Sequence, residues 1–446
     1  MVAPKPLDLL DRLIRAARSA GADAADALLV GGVSASVSYR LGKLEEVERA
    51  ESADLGLRVF VGQRVAFVST TDLSERTLGE LPERAVAMAR IAPEDKFACL
   101  ADPNLLARDF PSLDIEDAGE PSADVLVERA RAVEGAAIAV AGITNSEGGG
   151  ASFSRSAIAL ATSNGFFGRY AGTSHNIGVA VLAGEGAGME RDYESATARH
   201  SADLENAEAV GKRAGERTVA RLNPRKAKSQ AVPVVYEPRA GASLLGHFAG
   251  AISGASIARG VSFLKDRMGE AVFASGIRIV DDPHRLRGLR SKPFDGEGVR
   301  NRRLQLVENG VLHTWLLDCA TARQLGLATT GNAGRGTGGP PSPTTTNLYM
   351  EPGPLSPQEL MADIAEGFYV TELIGMGVNG VTGDYSRGAA GYWIENGAIA
   401  YPVSGITIAG NLKDMFRNLT PANDLEFRHG TNAPTLRVEG MTVAGS

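Results

Sequence analysis

Residues 55–67 read Leu55-Gly56-Leu57-Arg58-Val59-Phe60-Val61-Gly62-Gln63-Arg64-Val65-Ala66-Phe67. Side chains alternate sides along a strand, so Leu55, Leu57, Val59 and Val61 share one face. Gly62-Gln63 then separates two such runs, and Val65 and Phe67 resume the alternation, as in a hairpin with a two-residue loop. The pattern recurs at 153–163, Asn164-Gly165 and 166–171. In the second half, 306–315 contains Glu308-Asn309-Gly310 and 393–403 contains Glu395-Asn396-Gly397, each Asn-Gly flanked by aliphatics. These predict two hairpins of one kind and a candidate internal duplication. Strands linked by hairpins, rather than alternating with single crossover helices, place the chain in the α+β class ahead of a doubly wound parallel sheet.

Outward from these hairpins, Leu10, Leu13, Ile14 and Ala17 fall at helical spacing, in a helix ending at Gly21. Short alternating segments are expected at 28–39 and 44–50, and helices at 73–91, 123–139 and 202–222. The polar stretch 223–230, with Pro224, separates the last helix from a β-like run. This divides the chain into an N-terminal layered α/β domain of hairpins and helices, 1–225, and a mainly antiparallel β domain with a few helices, 226–446. The second domain opens with a strand at 231–236 and a helix at 239–258.

The bulk numbers agree with two domains, since 446 residues exceed what one core organises. With 43% hydrophobic and 22% charged residues the composition is globular, and 53 glycines imply many sharp turns or close backbone approaches. A net charge of -7 without a basic run argues against a nucleic-acid partner. Cys99 and Cys319, with no paired framework around them, read as reduced thiols. Asp8, Asp11, Arg12 and Arg15 interrupt any apolar signal segment, and the uncharged stretch 240–258 is mostly Gly, Ala and Ser with His247 inside. No membrane span and a cytoplasmic location are therefore expected.

A zinc hydrolase site needs imidazoles paired on one helix face and a carboxylate to take a proton from bound water. The six histidines, His175, His200, His247, His284, His313 and His429, are never closer than 25 residues, so no helix turn presents a pair. His247 reads as a packed or capping residue. Ala242, Gly246, Gly250 and Gly254 recur every four residues, a smooth stripe where another backbone could pack tightly, within the protein or across a subunit contact. Gly334-Arg335-Gly336-Thr337-Gly338-Gly339 fits the dinucleotide fingerprint, but Pro340 and Pro341 follow where a helix must start, leaving a mobile loop of the sort that covers binding sites. Ser262-Phe263-Leu264-Lys265 matches the serine–lysine motif without its companions, so Phe263 and Leu264 are expected to be buried. Segment 375–391 is dense in glycine beside Asn379, Asp384, Tyr385, Ser386 and Arg387, a composition suited to close backbone approach by a ligand. Gly331, Asn332 and Arg335 could face it.

Several segments together resemble the PmbA (TldE) branch of the TldD/PmbA family: 244–248, 255–268, 315–326, 329–332, 346–349, 375–393 and 411–423. The first half is similar by layout and by fragments such as Gly56-Leu57-Arg58-Val59. The resemblance implies a cytoplasmic two-subunit peptidase in which a TldD-like partner holds zinc through a helix bearing HExxxH and a distant cysteine. The PmbA subunit lacks that motif and helps enclose a chamber for unfolded or extended peptides. Family members are linked to peptide-antibiotic maturation and antitoxin degradation, and older descriptions call them modulators of DNA gyrase.

Aligned on Gly260-Val261-Ser262-Phe263, the HExxxH positions fall on 245–250, with Leu245, Gly246 and Gly250 in place of the two histidines and the glutamate. No catalytic or metal-ligating residue is therefore assigned here, and no cofactor is expected on this chain; zinc is expected in the partner. Candidate peptide-lining residues are Asn332, Arg335, Asn379, Tyr385 and Ser386, and Gly246, Gly250 and Gly254 mark the tight-packing helix. The expected partners are a TldD-like subunit and an extended peptide. The alternatives are a stand-alone homodimeric peptide holder and a peptidase acting through an unrecognised site of its own.

Overall fold

The computed structural model describes residues 5–445; the first four residues of the stretch read against a signal segment lie outside it. The chain begins with α1 (Pro6–Ser19), whose buried side is Leu10, Leu13, Ile14 and Ala17. Then come β1 (Ala24–Arg40), β2 (Lys43–Val61), β3 (Arg64–Thr70), α2 (Glu75–Ile91), α3 (Ala123–Ile138), β4 (Ile143–Thr162), β5 (Phe167–Ala183), β6 (Glu190–Ala198) and α4 (Ala207–Ala220). The strands form one antiparallel sheet in the order β3-β2-β1-β4-β5-β6. Three of its helices begin at side-chain caps, Ser74 for α2, Ser122 for α3 and Asn206 for α4. Asn206 starts α4 later than the expected 202, and residues 201–203 form a separate single turn.

Two of the sequence expectations are corrected in this sheet. The short segments at 28–39 and 44–50 belong to continuous strands of 17 and 19 residues. Residues 43–52 are exposed on both faces, so the alternation read at 44–50 is not matched by alternating burial, and it is pairing with β1 along its length that holds them extended. The Gly62-Gln63 hairpin forms as read, with Val61 opposite Arg64.

The rest of the chain runs β7 (Gln230–Tyr236), α5 (Pro238–Ala251), α6 (Gly254–Ala258), β8 (Ile279–Asp282), β9 (Leu304–Glu308), β10 (Val311–Leu312), α7 (Cys319–Leu325), β11 (Ala333–Gly334), β12 (Ser342–Pro343) and β13 (Asn347–Met350). It ends with α8 (Pro357–Met361), β14 (Glu366–Ile374), β15 (Asp384–Glu395), β16 (Ala398–Asn411), α9 (Leu412–Arg417), β17 (Leu419–Pro421), β18 (Thr431–Asn432) and β19 (Leu436–Ala444). One sheet has the order β16-β15-β14-β7-β19-β17, and β16 also pairs with β19, curling it into a ring; a second has the order β10-β9-β8-β13-β18. Pairing is antiparallel except for β14 with β7 and β13 with β18. Both Asn-Gly hairpins form with the same backbone: φ is +48° and +79° at Asn309-Gly310, and +50° and +79° at Asn396-Gly397. Two successive positive φ values match the twist of paired strands, which is why Asn-Gly suits them.

The expected helix at 239–258 is broken. Ile252 and Ser253 leave the helical path because Leu316 N donates to Ile252 O and Gly254 N donates to Leu316 O, tying the backbone to a neighbouring segment. No helix among the described residues is long and apolar enough to cross a membrane. The large core of this half gathers Leu244, Leu245 and Phe248 of α5 around Phe273, Trp393 and Phe416, with Phe273 and Phe416 stacked at 4.4 Å. Phe263 and Leu264 join this core as expected, while Ser262 Oγ donates to Ala251 O and accepts from Leu264 N, so it is a structural hydroxyl.

Candidate functional site

α5 buries Leu244, Leu245 and Phe248 and turns Gly246 and Gly250 outward. A Cβ at either glycine would meet nothing within 4 Å, so neither packs tightly within the chain. Gly254 behaves differently: beyond the helix break, a Cβ there would lie 2.6 Å from Leu317 Cδ2. The intramolecular reading of the stripe is thus corrected at Gly246 and Gly250, because the break puts Gly254 on another axis, and what remains is an open helical face.

Beside that face stands the tip joining β14 to β15. Asn379 Oδ1 accepts from Val381 N at 2.9 Å and Thr382 N at 3.3 Å, and Asn379 N donates to Asp384 O. Asn411 Nδ2 donates to Asp384 Oδ1 at 3.0 Å, and Phe263 N donates to Gly380 O, so the tip is held to α9 and to the segment after α6. The hydroxyl of Thr382 and then Asn411 hold the Asp384 carboxyl below its usual range. Met376, Val381 and Ile374 project from the tip, with Met376 89% exposed.

Tyr385 and His247 join the tip to α5, their rings edge-on at 6.0 Å. Tyr385 is buried, and burial pushes its hydroxyl up; Tyr236, beside it, donates to Met441 Sδ. Burial, and then the Arg387 guanidinium, lower the His247 pKa, so the ring is neutral near neutral pH. One imidazole next to a guanidinium is a poor seat for a divalent cation. Among the described residues no group of three or more His, Cys, Asp or Glu is placed to hold a metal.

The five candidate lining residues do not all meet. Asn379 and Ser386 are exposed at the tip and Tyr385 lies beneath it, whereas Asn332 and Arg335 are elsewhere. Asn332 is buried, with Nδ2 donating to Asp281 Oδ2 at 2.9 Å. Arg335, its side chain 2% exposed, lies 2.6 Å from Asp26 in the N-terminal sheet. Neither is free to line a peptide channel, which corrects that expectation. The glycine-rich loop is anchored at several points. Lys292 Nζ donates to Ala333 O, Thr337 bonds Asp54, and β11 pairs with β12.

That strap ends in buried charge that sequence spacing had not joined. Arg58 bonds Asp26 within the N-terminal sheet, and Arg335 reaches the same carboxylate. Burial raises the pKa of Asp26, but Arg335 and Arg58 outweigh it and the net shift is downward. Nearby, burial and then the charge of Asp295 push Glu297 up to about 7, while Glu297 accepts from Cys319 N at 2.8 Å. The available signal was a lone charge in an apolar run, as at Asp26 and Arg58, and this marks burial without naming the partner. Burial also pushes the Cys319 thiol up, and neither cysteine forms a disulfide.

Three family descriptions match the chain in order: PmbA/TldA metallopeptidase domain 1 at residues 25–89, its central domain at 116–222 and its C-terminal domain at 229–445. The chain is 39% identical to "Metalloprotease PmbA" of Escherichia coli O157:H7 over 96% of its own length and 93% of that protein's. It is 37% identical to a "Metalloprotease PmbA homolog" of Haemophilus influenzae, covering 97% and 94%. A Bacteroides thetaiotaomicron crystal structure, provisionally named a modulator of DNA gyrase, superposes with a TM-score of 0.92 at 26% identity, covering 100% of both chains. TldE of Thermococcus kodakarensis, at 22% identity and a TM-score of 0.88 over 98% of this chain and 100% of its own, shares the fold.

Proposed function

The chain belongs to the PmbA/TldE branch of the PmbA/TldA metallopeptidase family, and from that premise we propose that it is the non-zinc-binding subunit of a cytoplasmic two-subunit peptidase. It shapes the chamber that receives unfolded or extended peptides while a TldD-like partner supplies the metal. The observation that carries this reading is the outward face of α5, which offers Gly246, His247 and Gly250 beside Arg387. Water activation by zinc calls for several imidazole or carboxylate donors and a base within reach. A single imidazole flanked by a guanidinium does not fit that ion, so no hydrolytic step is assigned to these residues.

What the face does fit is a backbone. The absence of side chains at Gly246 and Gly250 lets an extended chain approach, and Asn379 and Ser386 line an open pocket with Tyr385, whose ring meets His247 of the same helix. Main-chain recognition of this kind tolerates varied sequences.

The test is co-expression with a TldD-like subunit, co-purification, and cleavage of an unstructured peptide by the pair and by each chain alone. The pair is expected to cleave and this chain alone to be inert. Equal cleavage by the partner alone, or stoichiometric zinc in this chain whose own ligands prove essential, overturns the proposal.

A further inference from the structure

On one face of the N-terminal sheet the helices cover the two ends of the long strands and leave the middle bare. α1 and α2 lie over Ala25, Ala27, Leu29, Ala159 and Ala161, and α3 and α4 over Val37, Ala151 and Ile177. Between them Gly31 pairs with Ala157, Ala157 with Ala171, Val33 with Arg155 and Ala159 with Arg169. Strand alternation puts all of these on that same face. They floor a cavity of about 520 Å³ that Pro6 and Glu116 also line. A space of this size suits a bound segment or small ligand.

The charges in the trough are unbalanced. Arg155 is ion-paired with Glu116, whereas Arg169, exposed at the edge, has no ion-pair partner among the described residues. Two guanidiniums against one carboxylate leave one positive charge in excess over an apolar floor. The floor has small side chains, so an extended chain can lie close, and a planar guanidinium matches a carboxylate with two parallel hydrogen bonds.

We propose that this trough binds the C-terminal end of an extended peptide, with small apolar side chains on the Gly31, Ala157 and Ala171 floor and the terminal carboxylate on Arg169. The proposal rests on the peptide-handling reading above and adds a second place on the chain where a peptide is held. It assigns Arg169 as the group that selects a free C-terminus.

The experiment uses the full-length chain alone, with no partner and no cleavage step, so its outcome is independent of the co-expression test. Binding of an N-terminally fluorescein-labelled Ala-Val-Ala-Leu peptide is followed by anisotropy, as the free acid and as the C-terminal amide. The free acid is expected to bind about fivefold more tightly, the difference lost in Arg169→Met and kept in Arg84→Met, an exposed position on α2, since one exposed guanidinium–carboxylate pair accounts for roughly that factor at most. Equal binding of acid and amide, no binding of either, or a discrimination unchanged by Arg169→Met overturns the proposal. Dodecanoate as competitor is the remaining arm. Tighter binding of this fatty acid than of the peptide, dependent on Arg169, would reassign the trough to a lipid carboxylate and also overturn it.

Discussion

Arg335 and Asp26 meet 2.6 Å apart across 309 positions of sequence, their side chains 2% and 0% exposed, one on the glycine-rich strap and the other in the N-terminal sheet. Arg58 shares the same carboxylate. Removing one member of a buried charge group strands the others without water, which costs more than the group contributes as a whole.

Asp26→Ala, which leaves the buried Arg58 and Arg335 guanidiniums without their shared carboxylate, is therefore expected to lower unfolding stability by about 3–5 kcal/mol, the usual penalty for an orphaned buried charge. Replacing Asp26 and Arg335 together should cost less than the sum of the single changes. Denaturant melts of the two single variants and the double variant test this, and strict additivity would refute the coupling.

Gly56 is the backbone counterpart of that contact. A Cβ there would lie 2.3 Å from Thr337 O, so Gly56→Ala must displace the strap, at a cost of about 1–3 kcal/mol by analogy with overpacking. The strap should also become open to protease between Gly336 and Gly339, read by limited digestion and mass spectrometry.

The α5 glycines are expected to behave oppositely to Gly254. Gly246→Ala and Gly250→Ala meet nothing and should each stabilise the chain by about 0.5–1 kcal/mol through helix propensity. Gly254→Ala, crowded by Leu317 and the Leu316 carbonyl, should destabilise it. Thermal melts compare the three. If the open face receives peptide, the two stabilised variants will bind peptide less well.

Glu297 sets a pH dependence. Burial, then Asp295, lift its carboxyl from the ordinary glutamate value of about 4.5 to about 7 in the folded chain. The folded state then holds a proton that the unfolded state has released, so the contribution is fully present below about 4.5 and is lost as pH rises through about 7. Urea midpoints between pH 5 and 8 should fall with pH more steeply in the native chain than in Glu297→Gln. Parallel curves would contradict this.

At the hairpin tip, Asn379 builds the turn through its own side chain, whereas Ser386 points outward. Asn379→Ala should cost about 1 kcal/mol and speed amide exchange at Val381 and Thr382, as the loss of hydrogen bonds to two backbone N–H groups implies. Ser386→Ala should leave stability unchanged, so any effect on peptide binding would belong to the site itself.

Several elements were legible because their cause is local. Gly62-Gln63, Asn309-Gly310 and Asn396-Gly397 carry the residues that tolerate positive φ or a tight turn, and Leu10, Leu13, Ile14 and Ala17 repeat with the helix period. The α+β class followed from these, and the resemblance in segments such as 375–393 pointed to the family. The length of β2 was not legible, because partner hydrogen bonds rather than its own alternation hold residues 43–52 extended. Nor was the break after Ala251, which depends on Leu316 more than sixty positions away.

The chain's own residues determined where it turns, which faces are apolar and that its histidines are too far apart for a local metal motif, since these depend on neighbours a few positions apart. Only the tertiary structure decided that Arg335 and Asn332 serve buried carboxylates while Asn379 and Ser386 remain at the surface. Polar side chains in glycine-rich segments look alike in sequence. Whether each meets water or a buried opposite charge is settled by long-range packing, and that difference in dielectric surroundings separates a structural arginine from a binding one.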